Sequence, residues 1–135
     1  MKKFAITAAD WDIFEASKIF EVTEEIVLKE MDILNKVMFN GVLDVDAIEI
    51  DIDSLCFLNT ESGFCVDEDD GRGTLLGLND TFDSYESFRS VLAHQMIHAY
   101  QIQEALNVNH KTVFGLFGQY ANQKLGLDIQ AIHTR

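Results

Sequence analysis

His94 and His98 carry the clearest chemical signal in this chain, through their type and their spacing. They stand four apart in Ser90-Val-Leu-Ala-His-Gln-Met-Ile-His-Ala-Tyr100. On a helix, positions i and i+4 lie one above the other on a single face. Two imidazoles from one helical turn can therefore reach one metal ion. The motif H-E-x-x-H uses this spacing to bind zinc, and its Glu serves as general base. Here the middle position is Gln95. The pattern is a metal-site motif whose base has been replaced by an amide of nearly the same shape.

A third histidine completes the set. His110 follows His98 across Leu106-Asn107-Val108-Asn109, a stretch rich in turn formers. A helix, a turn and a returning helix would carry His110 back over the face that holds His94 and His98. Three histidines with one position left open form a catalytic zinc arrangement. The spacing excludes the metzincin pattern, whose third His comes only about six residues after the second. Two other readings exist for these residues. One is a pair of core histidines hydrogen-bonded to backbone or carboxylates. The other is a structural zinc site, which needs a fourth protein ligand; the leftover histidine is His133, near the end of the sequence.

Zinc on three neutral imidazoles lowers the pKa of its water to about 7 and polarises a peptide carbonyl. A Glu at position 95 would take the water's proton and pass it to the leaving amine. Gln95 can hydrogen-bond that water but cannot accept its proton. General acid–base catalysis contributes typically about 10²–10⁴-fold. The Gln95 chain is thus expected to be inactive or nearly so, with its metal and its cleft intact. Glu104 is no substitute, because its place on the helix turns it well away from the ligand face.

Leu92-Ala-His-Gln-Met-Ile-His-Ala-Tyr100, Asn109-His110-Lys-Thr-Val-Phe114 and Asn122-Gln-Lys-Leu-Gly-Leu127 together resemble the SprT-like metallopeptidases. That family reads LxHEMIHAY, then GHGxxF, then a helix ending near a Leu-Gly-Leu stretch. Phe39-Asn-Gly-Val-Leu43 and the strand after it are similar to the family's F-x-G-x-L turn and first strand. The resemblance covers roughly residues 30–127. It implies a zincin-like α+β fold, zinc on His94, His98 and His110, and hydrolysis of peptide bonds, with Gln95 at the place of the catalytic Glu. Three features depart from the family: Gln95 itself, Asn109 in place of a Gly, and the lack of a following four-cysteine zinc ribbon. Gln95 is either an introduced Glu→Gln change that leaves a non-cleaving form, or the native residue of a pseudo-peptidase that binds a partner.

The elements that must position these residues are legible from periodicity. Asp83, with Glu86 three residues on, reads as a capping box opening the motif helix. From Val91 to Ile102 apolar residues surround that helix on all sides, so it should be buried. Upstream, residues 7–39 read as two helices. Thr7 caps one that carries Trp11, Phe14 and Phe20, and Thr23 caps the next, which Asn40-Gly41 stops. Ile48, Ile50 and Ile52 alternate with Glu49, Asp51 and Asp53, the pattern of a half-buried strand. Gly63–Val66 and Gly73–Leu78 read as two further strands, joined by a turn in which Asp70-Gly71 suits a hairpin. The expected layout is one α+β, zincin-like domain over residues 1–135: N-terminal helices, a small three-stranded sheet, the active-site helix and a C-terminal helix.

Composition bounds the rest. With 47 % hydrophobic and 24 % charged residues, a packed core is expected. No apolar run approaches the ~20 residues of a membrane helix, and Asp10 and Asp12 cut short the apolar start that would resemble a signal peptide. A cytosolic protein, or one made inside a host cell, is the expectation. Cys56 and Cys65 lack C-x-x-C spacing and read as reduced thiols. Residues 44–86 hold thirteen acids and one base, Arg72, out of a total net charge of −13. The run Asp67–Asp70 fails EF-hand spacing and reads as a solvated hairpin tip. Such acidity disfavours direct nucleic-acid binding. It suits a protein or peptide substrate rich in Lys and Arg, with Thr74–Leu78 as the edge strand that receives it. A DNA-mimicking or inhibitory module that binds a basic protein is the alternative role.

Overall fold

Thr23 opens the helix that follows it, as its residue type suggests: its Oγ1 accepts from the Ile26 amide at 3.2 Å. The computed structural model describes residues 19–53, 63–68 and 73–130. Helix α1 (Glu24–Phe39) buries Val27, Met31, Leu34, Met38 and Phe39, and ends where Asn40 and Gly41 both take positive φ, 53° and 77°. Asn35 reaches past that turn, donating to the Leu43 carbonyl at 2.9 Å and accepting from its amide at 3.1 Å. The helix read over Trp11 and Phe14, with its Thr7 cap, lies outside the described residues, as do Cys56, Asp70-Gly71 and His133.

Strands β2 (Ile48–Asp53), β3 (Gly63–Asp67) and β4 (Thr74–Asn79) form one sheet in the order β2-β4-β3. β2 runs parallel to β4, with Ile48 opposite Thr74 and Asp53 opposite Asn79. β3 runs antiparallel to β4 as the expected hairpin, and Glu68 N donates to Gly73 O at 2.9 Å across its base. The strand expected at the edge, Thr74–Leu78, is therefore central, with hydrogen-bonded neighbours on both sides. Its sequence is consistent with that place, since Leu76, Gly77 and Leu78 are all buried, and strands enclosed on both faces lose the alternating pattern. Among the described residues the edges are β2 and β3. Ile48, Ile50, Ile52, Cys65, Leu76 and Leu78 join the core, whereas Glu49, Asp51 and Asp53 project from the opposite, exposed face of β2.

Phe20 belongs to a strand rather than a helix. β1 (Phe20–Glu21) pairs antiparallel with β5 (Thr81–Phe82), Phe20 opposite Phe82. Both rings pack on Phe88, with centroids at 5.0 and 5.8 Å. Strands of two residues show no periodicity, and this aromatic cluster is what places them. The motif helix α2 (Tyr85–Gln103) is capped by Ser84, not Asp83: Ser84 Oγ accepts from the Ser87 amide at 3.0 Å. α3 (Thr112–Leu125) ends at Gly126, φ 66°. Ser90 then holds the following chain by accepting from the Asp128 amide at 2.9 Å. Among the described residues no helix is long and apolar enough to cross a membrane. The described residues form a mixed α+β arrangement with three α-helices and two small sheets.

Cys65 is a free thiol on β3, and burial, with Asp67 adding to it, pushes its pKa from 9.0 to about 12. The folded state therefore keeps a proton that the unfolded chain releases above pH 9.0, so this group's share of stability is lost as pH rises from there toward about 12. In a Cys56→Ser variant at pH 8, native Cys65 should alkylate on the order of a hundredfold more slowly than in the urea-unfolded chain. Equal rates in the two states would contradict the burial.

Candidate metal centre

α2 is buried on nearly all sides, which makes its polar residues conspicuous: His94 is 1 % exposed, His98 2 %, Gln95 0 % and Gln101 1 %. Buried polar groups need partners. His94 and His98 point the same way, as their spacing requires, with ring centroids 5.0 Å apart. α2 stops at Gln103, and Ala105 takes a left-handed turn at φ 57°. The chain then returns His110 over the histidine face, just before α3 begins. His110 Nε2 lies 3.2 Å from His94 Nε2 and 3.1 Å from His98 Nε2. His110 is half-buried, so the cluster meets solvent on that side. Burial also lowers the pKa of His110, which favours the neutral, ligating form.

Protons alone do not satisfy this cluster. A neutral imidazole offers one N–H and one lone pair, and here the Nε2 of His110 faces two others at hydrogen-bond distance. One proton on His110 Nε2 cannot serve both contacts well, whereas one cation accepts all three lone pairs. Tetrahedral bonds of about 2.0 Å would separate ligand nitrogens by about 3.3 Å, close to the distances observed. Among the described residues, His94, His98 and His110 are the group of His, Cys, Asp or Glu side chains that could hold a metal ion. Among the described residues no fourth ligand joins them, and Glu104 caps the helix away from the cluster.

Gln95 supplies a second observation. Its Oε1 and Nε2 are both buried and neither has a hydrogen-bond partner. An unsatisfied buried polar group costs about 1–3 kcal/mol, so an amide left this way beside a ligand suits a site completed by a bound group. β3 approaches it closely. A Cβ at Gly63 would stand 3.3 Å from Gln95 Cγ and 3.1 Å from Val91 Cγ1, so glycine at this position lets the edge strand lie against the motif helix.

Two residues at the site were given no part in it by the sequence, although Phe114 closes the His110 stretch that resembles the family motif. Phe114 is 2 % exposed and its ring meets all three imidazoles, at 4.6, 5.2 and 4.8 Å from His94, His98 and His110. Its signal was present, four residues after His110 on an apolar face. Gln101 hydrogen-bonds His98 Nδ1 at 2.9 Å and the Asn109 carbonyl at 3.0 Å. Its signal was a polar residue inside an otherwise apolar helix.

No family model matches the chain, and neither a curated protein nor a solved structure does. The residues and their geometry carry the functional reading.

Proposed function

We propose that this chain is a SprT-like zinc metallopeptidase domain with a zincin-like layout, in a form that Gln95 leaves able to hold a peptide and unable to cleave it efficiently. The observation that carries this reading is the meeting of three imidazole nitrogens within reach of one ion, on a helix where the residue after His94 is Gln95 with its buried, orphaned amide. Three imidazoles with one position open are a donor set that catalytic zinc uses. Bound there by His94, His98 and His110, zinc would supply Lewis-acid polarisation of the peptide carbonyl and an acidified water. Gln95 can orient that water through its amide but takes no proton from it, so the step that frees the leaving amine lacks its base. Among the described residues β3 is an edge strand whose Gly63 packs one face on Gln95 and Val91, and its outer main-chain groups would serve an extended peptide, the mode called β-augmentation. Asp67 and Glu68 at its end would bias that peptide toward Lys and Arg.

A second reading, a native pseudo-peptidase that binds a basic protein, is favoured by one observation. Glu49, Asp51 and Asp53 form an exposed row on the sheet face turned away from α2. Carboxylates placed there act on a partner and not on the cleft, and the same row disfavours direct contact with a phosphate backbone.

Metal content tests the first reading. The purified chain should hold one zinc per molecule. His94→Ala, His98→Ala and His110→Ala should each weaken zinc by more than the ~10–100-fold typical of outer-shell partners. Full zinc retention in His110→Ala would sink the three-histidine assignment.

A further inference from the structure

We infer that Gln101 is a positioning residue: it sets the tautomer of His98 from the seating of the loop that delivers His110. The inference rests on the metal reading above. Gln101 stands three residues after His98 on α2 and is 1 % exposed. One end of its side chain offers a carbonyl oxygen that only accepts, and the other an NH₂ that only donates. Rotating the amide by half a turn exchanges the two. The neighbours decide between them. The Asn109 carbonyl, 3.0 Å away, can only accept, so the NH₂ faces Asn109. The oxygen then faces His98 Nδ1 at 2.9 Å, and an acceptor there requires that Nδ1 carry the proton. A neutral imidazole holds one proton, so His98 Nε2 keeps its lone pair, 3.1 Å from His110 Nε2. The free imidazole side chain favours the opposite tautomer, with the proton on Nε2, which would block the ligand position.

The loop that makes this choice is held by the same residue. Gln101 O accepts from Leu106 N at 2.7 Å just after the left-handed Ala105, and Asn109 Oδ1 accepts from Lys111 N at 3.0 Å on the other side. The chain thus leaves Gln101 at its backbone and returns to its side chain, with His110 the next residue after Asn109. One amide thereby ties the orientation of the second ligand to the placement of the third. A purely structural tie would lower stability without changing where the proton of His98 sits.

The test uses the full chain, metal-free and labelled with ¹⁵N-histidine, at a pH where the imidazoles are neutral. Long-range ¹H–¹⁵N correlation should show His98 protonated at Nδ1 in the parent. Gln101→Leu should shift His98 toward the Nε2–H form and weaken zinc about 10–100-fold by chelator competition. Gln101→Glu keeps an acceptor for Nδ1, and should restore that tautomer and most of the zinc affinity while losing the donor to Asn109. Should Gln101→Leu fail to fold, Gln101→Asn, too short to span both partners, takes its place with the same readouts. An unchanged His98 tautomer, or zinc affinity within about twofold of the parent, in the Leu or Asn variant overturns the inference. So does a Glu variant no better than Leu. A parent that binds no zinc would instead overturn the metal reading, and the metal-free tautomer would still decide the role of Gln101.

Discussion

Gln95→Glu should raise chelator-sensitive peptide cleavage by about 10²–10⁴-fold over the parent chain, the range that general acid–base catalysis contributes. Position 95 follows His94 on α2, is 0 % exposed, and faces a strand kept close by Gly63. Both amide atoms of Gln95 lack partners, so a carboxylate there displaces no existing hydrogen bond. The same burial makes the substitution costly without metal, because a lone buried carboxylate stays neutral or destabilises the fold. Thermal stabilisation by zinc should therefore be larger in Gln95→Glu than in the parent. Gln95→Met, which removes the orphaned amide at similar size, should leave the metal-free protein as stable or more stable and still uncleaving. The measurement is incubation of each zinc-loaded variant with unfolded protein substrates and with the chain itself. No cleavage by a zinc-loaded Gln95→Glu protein across a broad panel would favour the partner-binding reading.

Glu30→Ala should cost about 3–5 kcal/mol in urea unfolding, the range for removing one partner of a buried ion pair. Glu30 on α1 accepts from Arg89 Nε at 2.6 Å and from the Tyr85 hydroxyl at 2.5 Å, both on the first turns of α2. The side chains of Glu30 and Arg89 are only 5 % and 16 % exposed, so solvent screens the pair weakly. Alanine leaves the largely enclosed Arg89 guanidinium without its carboxylate. Replacing both partners with Met should cost far less, because no charge is then stranded. The contrast locates the effect in the uncompensated charge and not in lost packing. A Glu30→Ala cost below about 1 kcal/mol would mean that this pair behaves like a surface one. By contrast, the exposed Lys36–Asp32 pair at 3.2 Å should matter little when broken.

Local chemistry determined much of this protein. His94 and His98 share a face because a helix turns about 100° per residue, and no distant contact is needed to bring them together. Thr23 caps α1, Asn40-Gly41 stops it, and the Ile48–Ile52 alternation makes a one-sided strand, each through short-range sterics or hydrogen bonds. The placement of His110 was half legible. Turn formers announced a returning chain, but only the folded loop, with Ala105 left-handed and Gln101 holding both ends, sets three nitrogens within reach of one ion.

Other features belonged to the tertiary structure alone. Thr74–Leu78 became the central strand because β2 and β3 compete for its two sides, and pairing order between distant segments leaves no mark in local periodicity. Phe20 left the helical pattern to pair with Phe82, since burying both rings on Phe88 outweighs two residues of weak helix preference. Ser84 took the cap from Asp83 because one residue's shift brought its oxygen within reach of the Ser87 amide. The tautomer of His98 and the orphaned amide of Gln95 depend on which groups from Asn109 and β3 arrive beside them. Spacing along one element is a property of the chain; which atoms meet across elements is decided by burying the core.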